Sequence, residues 1–369
     1  MIHSLYVHVP FCLRKCNYCD FYSLPVFGCR EQFHQYPKLL EEELNLWTQQ
    51  VEMNVLTTIY FGGGTPSLLA PKDIAHFLSQ LNYLQAEITL EANPETLTAK
   101  NLYGFRSAGI NRLSIGAQSF DAQRLIHMGR SHTPEQTRSA VREGRAAGFT
   151  NIGLDLIYGL PGQTLAEWEQ DLDQALELET EHISLYGLTI SAGCPWGQAG
   201  VHAENDDNQA DMVELAMDKL ARAGFLHYEI ANFAKPGYAS RHNTAYWRRE
   251  DYLGLGPAGA SCIGNHRWTN LNDLDRWAAA IEQQDRPLLA EEQLSIDQVI
   301  AEAIFLGLRL LDGVDCIAFA KQYGVDPRKR FKREIHRMEK AGLLEEAQDR
   351  LRLTRRGILL GDAVFAEFM

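Results

Sequence analysis

Three cysteines stand close together near the start of the chain, in Cys12-Leu-Arg-Lys-Cys16-Asn-Tyr-Cys19. Thiolates are soft ligands that suit zinc and iron–sulfur clusters. A structural zinc site closes with four ligands, commonly two C-x2-C pairs or cysteines joined by histidines, and no second pair follows here. Three thiolates on one short loop can instead hold three irons of a [4Fe–4S] cluster and leave the fourth iron open to a small molecule. The bland alternative is a trio of small buried residues, but free cysteines seldom crowd in this way without a metal or redox role. A disulfide framework is not expected. The seven cysteines, at 12, 16, 19, 29, 194, 262 and 316, are odd in number and mostly scattered, and the opening Met1-Ile2-His3-Ser4 lacks the basic start and apolar run of a signal peptide. A reducing, cytoplasmic setting is the expectation.

The elements that must position this loop show a rhythm. Short β-rich runs at 5–10, 57–61, 87–92, 112–116, 151–158 and 182–188 alternate with helix-like segments at 37–50, 71–84, 98–108, 134–147 and 165–178. Alternation of this kind predicts βα units around a parallel sheet, either a partial or complete βα (TIM-like) barrel or an open doubly wound sheet. Glycine and polar residues gather where the strands end, at Gly62-Gly63-Gly64-Thr65, Glu91-Ala92-Asn93-Pro94, Gly116-Ala117-Gln118 and Asp155. Chemistry in parallel α/β folds collects at those carboxyl ends, so one shared site is expected there. Beyond residue 190 the pattern changes. Residues 208–223 and 294–311 read as helices, 224–233 as a strand with its approach, and 237–261 as a loop dense in aromatics and glycine. The tail from 317 reads helix, helix, short hairpin (343–344 with 351–353), helix, an α+β, winged-helix-like module. The expected organisation is a barrel core over 1–190, an extension over 191–290 and the C-terminal module over 291–369.

Composition bounds the function. The chain has 369 residues, a formal net charge of −13 and 45% hydrophobic residues, ordinary for a globular protein. No apolar run reaches the 18 residues of a membrane span, which leaves transient contact with a membrane surface open. The acidic balance argues against a nucleic-acid partner. Between Lys321 and Arg356 twelve Lys/Arg face six Asp/Glu, a local excess read as a solvated helix face.

The cysteine spacing after a first strand resembles the signature of the radical S-adenosylmethionine (SAM) superfamily. That resemblance implies a [4Fe–4S] cluster on Cys12, Cys16 and Cys19, SAM bound through the open iron, an electron donor, and a 5′-deoxyadenosyl radical released from the sulfonium. It also implies SAM contacts at Gly63, Gly64 and Thr65 in a GGE-type turn, where glycine permits close backbone approach. Further contacts implied are Glu91 toward ribose hydroxyls, and Gln118, Arg130, Asp155 and Tyr6 at the polar positions of the porphyrin-related branch.

The strings Asn111-Arg-Leu-Ser-Ile-Gly-Ala-Gln-Ser-Phe120, Asp155-Leu-Ile-Tyr-Gly-Leu-Pro-Gly-Gln-Thr164 and His182-Ile-Ser-Leu-Tyr186 resemble the group of oxygen-independent coproporphyrinogen III dehydrogenases and HemW-type heme chaperones. Two activities follow from it: oxidative decarboxylation of coproporphyrinogen III, or binding of heme and its delivery to client apo-hemoproteins, respiratory enzymes among them. The chaperone type is favoured by Phe21, which stands where the dehydrogenases carry a fourth cysteine, by the short segment before Cys12, and by His242-Asn-Thr-Ala-Tyr-Trp247. That last motif implies heme ligation by His242, and its chemistry suits the role. A neutral imidazole is a common axial ligand, Tyr246 and Trp247 offer flat apolar faces, and Arg241, Arg248 and Arg249 can pair with propionates. Read from those residues alone, a histidine making structural hydrogen bonds is the commoner use; His8, His127, His132 and His266 are rival ligands.

Overall fold

The computed structural model describes residues 2–369. The chain opens with β1 (Ile2–Val9), crosses the cysteine loop and enters α1 (Arg30–Thr48). Then follow β2 (Met53–Gly63), α2 (Pro71–Ser79), β3 (Tyr83–Ala92), α3 (Ala99–Ala108), β4 (Arg112–Gln118), α4 (Ala122–His127), α5 (Pro134–Ala146), β5 (Ile152–Tyr158), α6 (Leu165–Glu177) and β6 (His182–Gly187). The six strands lie side by side in chain order, every pair parallel, as helical crossovers require. Helix starts are written into the sequence: Thr98, Thr133 and Thr164 each form a reciprocal capping box with the residue three places on.

The sheet does not close. Next along the chain come α7 (Asp206–Arg222), β7 (Leu226–Glu229), β8 (Asn232–Ala234), α8 (Arg241–Trp247), β9 (Tyr252–Leu255), β10 (Ala260–Ile263), β11 (His266–Asn270), α9 (Leu274–Glu282) and β12 (Leu288–Gln293). Strand β6 pairs with β8 and β1 with β9, so twelve strands run in the order β12-β11-β10-β9-β1-β2-β3-β4-β5-β6-β8-β7. The parallel part curls, because residues just after β1 and just after β6 line one cavity. The architecture is α/β, a partial βα barrel. Residues 237–261 differ from the loop that their glycines and aromatics predict, holding α8 and β9. The Glu87 carboxylate, on distant β3, accepts the backbone N–H groups of Arg241 and His242 at 3.1 Å each and so nucleates α8. Helix α1 also begins earlier than expected, with Pro37 inside it.

Side chains alternate across a strand with period two. On the helix-facing side Leu5, Val7, Ile59, Phe61, Ile88, Leu90, Leu113, Ile115, Leu154 and Ile183 join the main apolar core. The concave side is polar, with Ser4, His8, Thr58, Glu87, Thr89, Arg112, Ser114, His182 and Ser184 all buried. Parallel strands are usually apolar on both faces, and buried polar groups must find partners. A polar lumen is therefore a costly feature that the fold retains.

The C-terminal module has its own core, including Ile304, Phe319, Ile335, Leu351 and Phe365. It comprises α10 (Ile296–Gly307), β13 (Val314–Asp315), α11 (Cys316–Tyr323), α12 (Lys332–Lys340), β14 (Leu344–Ala347) and β15 (Arg350–Leu353), closed by two short helices. The hairpin turns on Gln348 and Asp349, both with positive φ, as a tight two-residue turn requires. Several of its surplus arginines are paired: Arg328 with Asp326, Glu346 and Asp349, Arg330 with Asp297, Arg350 with Asp312 and Arg355 with Asp218.

Helix α1 is tied across the sheet by Glu43, which is fully buried. Its carboxylate accepts from Asn270 Nδ2 at 2.6 Å, Gly256 N at 2.7 Å and Trp277 Nε1 at 3.2 Å. Three donors converge on this carboxyl, which burial pushes up to about 7, and an amide in its place would turn its NH2 toward one of those donors. Glu43→Gln is expected to destabilise the protein by about 1–3 kcal/mol, measured by urea unfolding at neutral pH.

Candidate functional site

The cysteine loop is fixed by its own backbone. Phe11–Cys12 pairs with Leu24–Pro25 as a short parallel ladder, closing the loop at its base. Asn17 N donates to Met128 O at 2.9 Å, Asn17 Nδ2 to His127 O at 2.8 Å, and Trp196 N to Asn17 O at 2.9 Å. The loop is thereby stapled to the end of α4 and to Trp196. Cys12, Cys16 and Cys19 are all free thiols and all line one cavity of about 430 Å³. Burial pushes the Cys12 and Cys19 thiols up from their ordinary values.

The glycine turn after β2 passes directly beneath this loop. Gly64 N and Thr65 N donate to Val9 O and Phe11 O at 2.8 and 2.7 Å. A Cβ on Gly64 would stand 2.6 Å from Phe11 O. Gly63 has φ +107°, and a Cβ there would meet the His8 ring at 2.6 Å. The close approach explains the glycines. His8 Nε2 bonds to Tyr22 O at 2.9 Å, which makes that nitrogen the donor, so Nδ1 accepts from Tyr6 OH at 3.0 Å. His8 thus props the far end of the cysteine loop against β1.

Gly63, Gly64, Glu91, Gln118, Arg130 and Asp155 share the cavity with the three cysteines. Glu91 accepts from Tyr60 OH at 2.7 Å and Gly63 N at 3.1 Å, and burial pushes its carboxyl up to about 7. Asp155 accepts from Ser114 and is also raised by burial. Gln118 ends β4 with φ +64°. Asp171 on α6 accepts from Ser119 Oγ and Phe120 N and so fixes the turn that follows Gln118. Arg130 donates to Asn93 Oδ1 at 2.6 Å, Gly116 O at 3.0 Å, His132 Nδ1 at 3.4 Å and Cys16 Sγ at 3.5 Å.

Two of the expected residues stand one layer back. Tyr6 stacks on Tyr60 and His242, and Thr65, buried, donates to Cys12 Sγ at 3.4 Å. The cavity also takes in Asn93, Ser114 and Tyr186, which the sequence analysis did not single out. Asn93 carried a signal in its place beside Glu91 at a strand end. Phe21, 69% exposed, stands at the cavity wall. Cys194 is buried and accepts from Gly197 N, a helix-capping part.

The donor set fits an iron–sulfur cube better than a single ion. Among the described residues no three His, Cys, Asp or Glu side chains converge tightly enough to hold one metal ion. Three thiols lining one shared cavity are the soft donor set that an iron–sulfur cluster takes. The carboxylates, guanidinium and glycine backbone that line the same cavity suit a zwitterionic nucleotide such as SAM.

The His242 motif lies elsewhere, on a helix where a loop was expected. His242 is 1% exposed, inside the lumen on α8. Its Nδ1 bonds to Thr58 Oγ1 at 2.8 Å and its Nε2 to Tyr246 OH at 2.9 Å, and the ring stacks on Tyr60. Both nitrogens are taken, and burial lowers its pKa to about 3. Arg241 donates to Gln85 O, and Arg249 to Glu302 and Gly264 O, so these two guanidiniums are committed within the protein. Trp247 faces the C-terminal side, with the Arg309 guanidinium 4.4 Å from its ring centre.

Comparison with known proteins gives consistent matches. The Radical SAM superfamily profile matches residues 6–175 and the HemN C-terminal domain profile residues 294–360. A protein of Bacillus subtilis named heme chaperone HemW is 34% identical over 99% of both chains. One of the same name from Haemophilus influenzae is 40% identical over 69% of this chain and 68% of its own. Among solved structures, coproporphyrinogen III oxidase (HemN) from Escherichia coli superposes with a TM-score of 0.86 at 24% identity, over 99% of this chain and 89% of that one, a likeness of fold.

No helix among the described residues is long and apolar enough to cross a membrane. The buried imidazole carries a pH signature. Its folded pKa near 3 lies below the unfolded value of about 6.5, so the unfolded chain binds the extra proton between the two. Its contribution is complete above pH 6.5 and is lost as pH falls toward 3. His242→Gln is expected to flatten the slope of unfolding free energy against pH between 6 and 4 by up to about 1.4 kcal/mol per pH unit, read from urea unfolding at a series of pH values.

Proposed function

The chain belongs to the heme chaperone HemW family of radical SAM proteins, and we propose that it binds a [4Fe–4S] cluster, SAM and heme and passes heme to client apo-hemoproteins. The observation that carries the cofactor part is the single cavity onto which Cys12, Cys16 and Cys19 open together with Gly63, Glu91, Arg130 and Asp155. In this reading the three thiolates hold the cluster. The backbone of Gly63 and Gly64 and the side chains of Glu91, Gln118, Arg130 and Asp155 hold SAM, with Tyr6 and Thr65 supporting from behind. When bound, cluster and SAM together supply a one-electron route to cleavage of the sulfonium, fed by an electron donor. The chain's own part is to orient: Glu91 and Asp155 meet hydroxyl or ammonium groups, and Arg130 meets a carboxylate. Functionally the chain divides near residues 190 and 290 into core, extension and C-terminal module, and acts in the cytoplasm on clients that include respiratory enzymes.

Heme ligation by His242 needs a second conformation. In the closed arrangement the imidazole is hidden, so α8 must leave the lumen before iron can reach it. Affinity for heme is then reduced by the fraction of molecules that are open. The absence of a fourth thiol at Phe21 separates the loop from the dehydrogenase pattern, and turnover of coproporphyrinogen III to protoporphyrinogen IX is not expected.

Anaerobic reconstitution is expected to give about four irons and four sulfides per chain, and Cys12→Ser, Cys16→Ser or Cys19→Ser to remove most of both. Zinc in their place refutes the cluster reading, and a fourth protein ligand refutes the open iron for SAM. For heme, Tyr246→Phe and Thr58→Val each delete one bond that keeps His242 inside, worth about 1 kcal/mol. Each should tighten heme binding about fivefold in absorbance titration, whereas His242→Ala should weaken it and change the spectrum. Unchanged binding in all three removes His242 as the ligand.

A further inference from the structure

Two of the three cysteine sulfurs receive hydrogen bonds that a single amide organises. Asn93, at the carboxyl end of β3, presents Oδ1 to Arg130 Nη2 at 2.6 Å. Arginine can only donate, so the amide orientation is forced and Nδ2 must face the other way. There it donates to Thr65 Oγ1 at 2.9 Å. With a lone pair of its hydroxyl engaged by Asn93, Thr65 directs its hydrogen to Cys12 Sγ at 3.4 Å. On the other side Arg130, anchored by Asn93, Gly116 O and His132, directs Nη1 to Cys16 Sγ at 3.5 Å. Arg130 and Thr65 are both buried, while Cys16 is half-buried at the cavity.

We infer that Asn93 is a positioning residue that tunes the redox poise of the cysteine site by aiming one charged and one neutral donor at two of its three sulfurs. This rests on the cluster reading above. Reduction by one electron adds negative charge that is shared by the thiolate sulfurs. Donors whose positive ends point at sulfur favour the reduced state and raise the midpoint potential. Loss of Asn93 releases both at once: Arg130 keeps its anchors at Gly116 and His132 but is free to turn, and the Thr65 hydroxyl can donate elsewhere.

The test is an EPR-monitored titration with dithionite on the full-length, anaerobically reconstituted protein, without SAM or heme. Asn93→Leu is neutral and close in volume, and Thr65→Val removes only the hydroxyl. Each is expected to move the midpoint potential to more negative values with iron and sulfide content unchanged. Because Asn93 acts partly through Thr65, the double variant should fall short of the sum of the two shifts. Asn93→Ser makes the same test should the leucine variant fail to fold. A midpoint potential equal to that of the unsubstituted protein, or shifts that simply add, overturns the inference while leaving the cluster reading intact. An unsubstituted protein that assembles no cluster overturns both.

Discussion

A short loop can bring three thiolates to one cavity only if its remaining polar backbone is satisfied somewhere else. Here it is satisfied by fixed neighbours. The two-residue ladder from Phe11–Cys12 to Leu24–Pro25 closes the base, Asn17 bonds to the end of α4, and the Tyr22 carbonyl accepts from His8. The three sulfurs are therefore held in place by hydrogen bonds within the protein. Such pre-organisation lowers the ordering entropy that binding a cofactor would otherwise cost.

The same constraint explains the polar lumen. Cavity groups such as Glu91 and Asp155 need support from behind, and support inside a curled sheet has to come from the inward residues of neighbouring strands. Tyr60 bonds to Glu91 and Ser114 to Asp155, and one layer lower Glu87 caps α8. Tyr60 also stacks on the His242 ring of that helix, so cofactor cavity and barrel base are in contact. These groups sit at low effective dielectric, where a satisfied network is rigid and a broken one costly.

What the sequence made legible was what is local in it. The cysteine spacing, the glycine turn, the βα rhythm and the capping boxes each depend on residues within a few places of one another. Gln118 and Asp155 reach the cavity because strand ends converge in this fold class, and Arg130 reaches it from the loop between α4 and α5. The misreading of residues 237–261 has an equally physical cause. Aromatics and small residues suit an exposed ligand-binding loop and a plug for a lumen equally well. The group that decides between them, Glu87, lies 155 residues from His242. Asn93 escaped notice because its importance lies in the direction its amide faces, which Arg130 and Thr65, distant in sequence, together determine. Strands β10 to β12 escaped because β10 and β11 are only four and five residues long and the edge strand β12 is mostly exposed, with little apolar alternation.

The two ends of helix α8 belong to different neighbourhoods. Its first residues are gripped by a carboxylate within the sheet, and its last, Trp247, lies beneath Arg309, whose guanidinium also covers Phe365 of the C-terminal module. The barrel's floor and the terminal module therefore share a hinge pin. Cutting the module away would strip the cover from that tryptophan and slacken the plug beneath the cofactor chamber, so a shortened chain would be an altered barrel rather than the same barrel with a part missing.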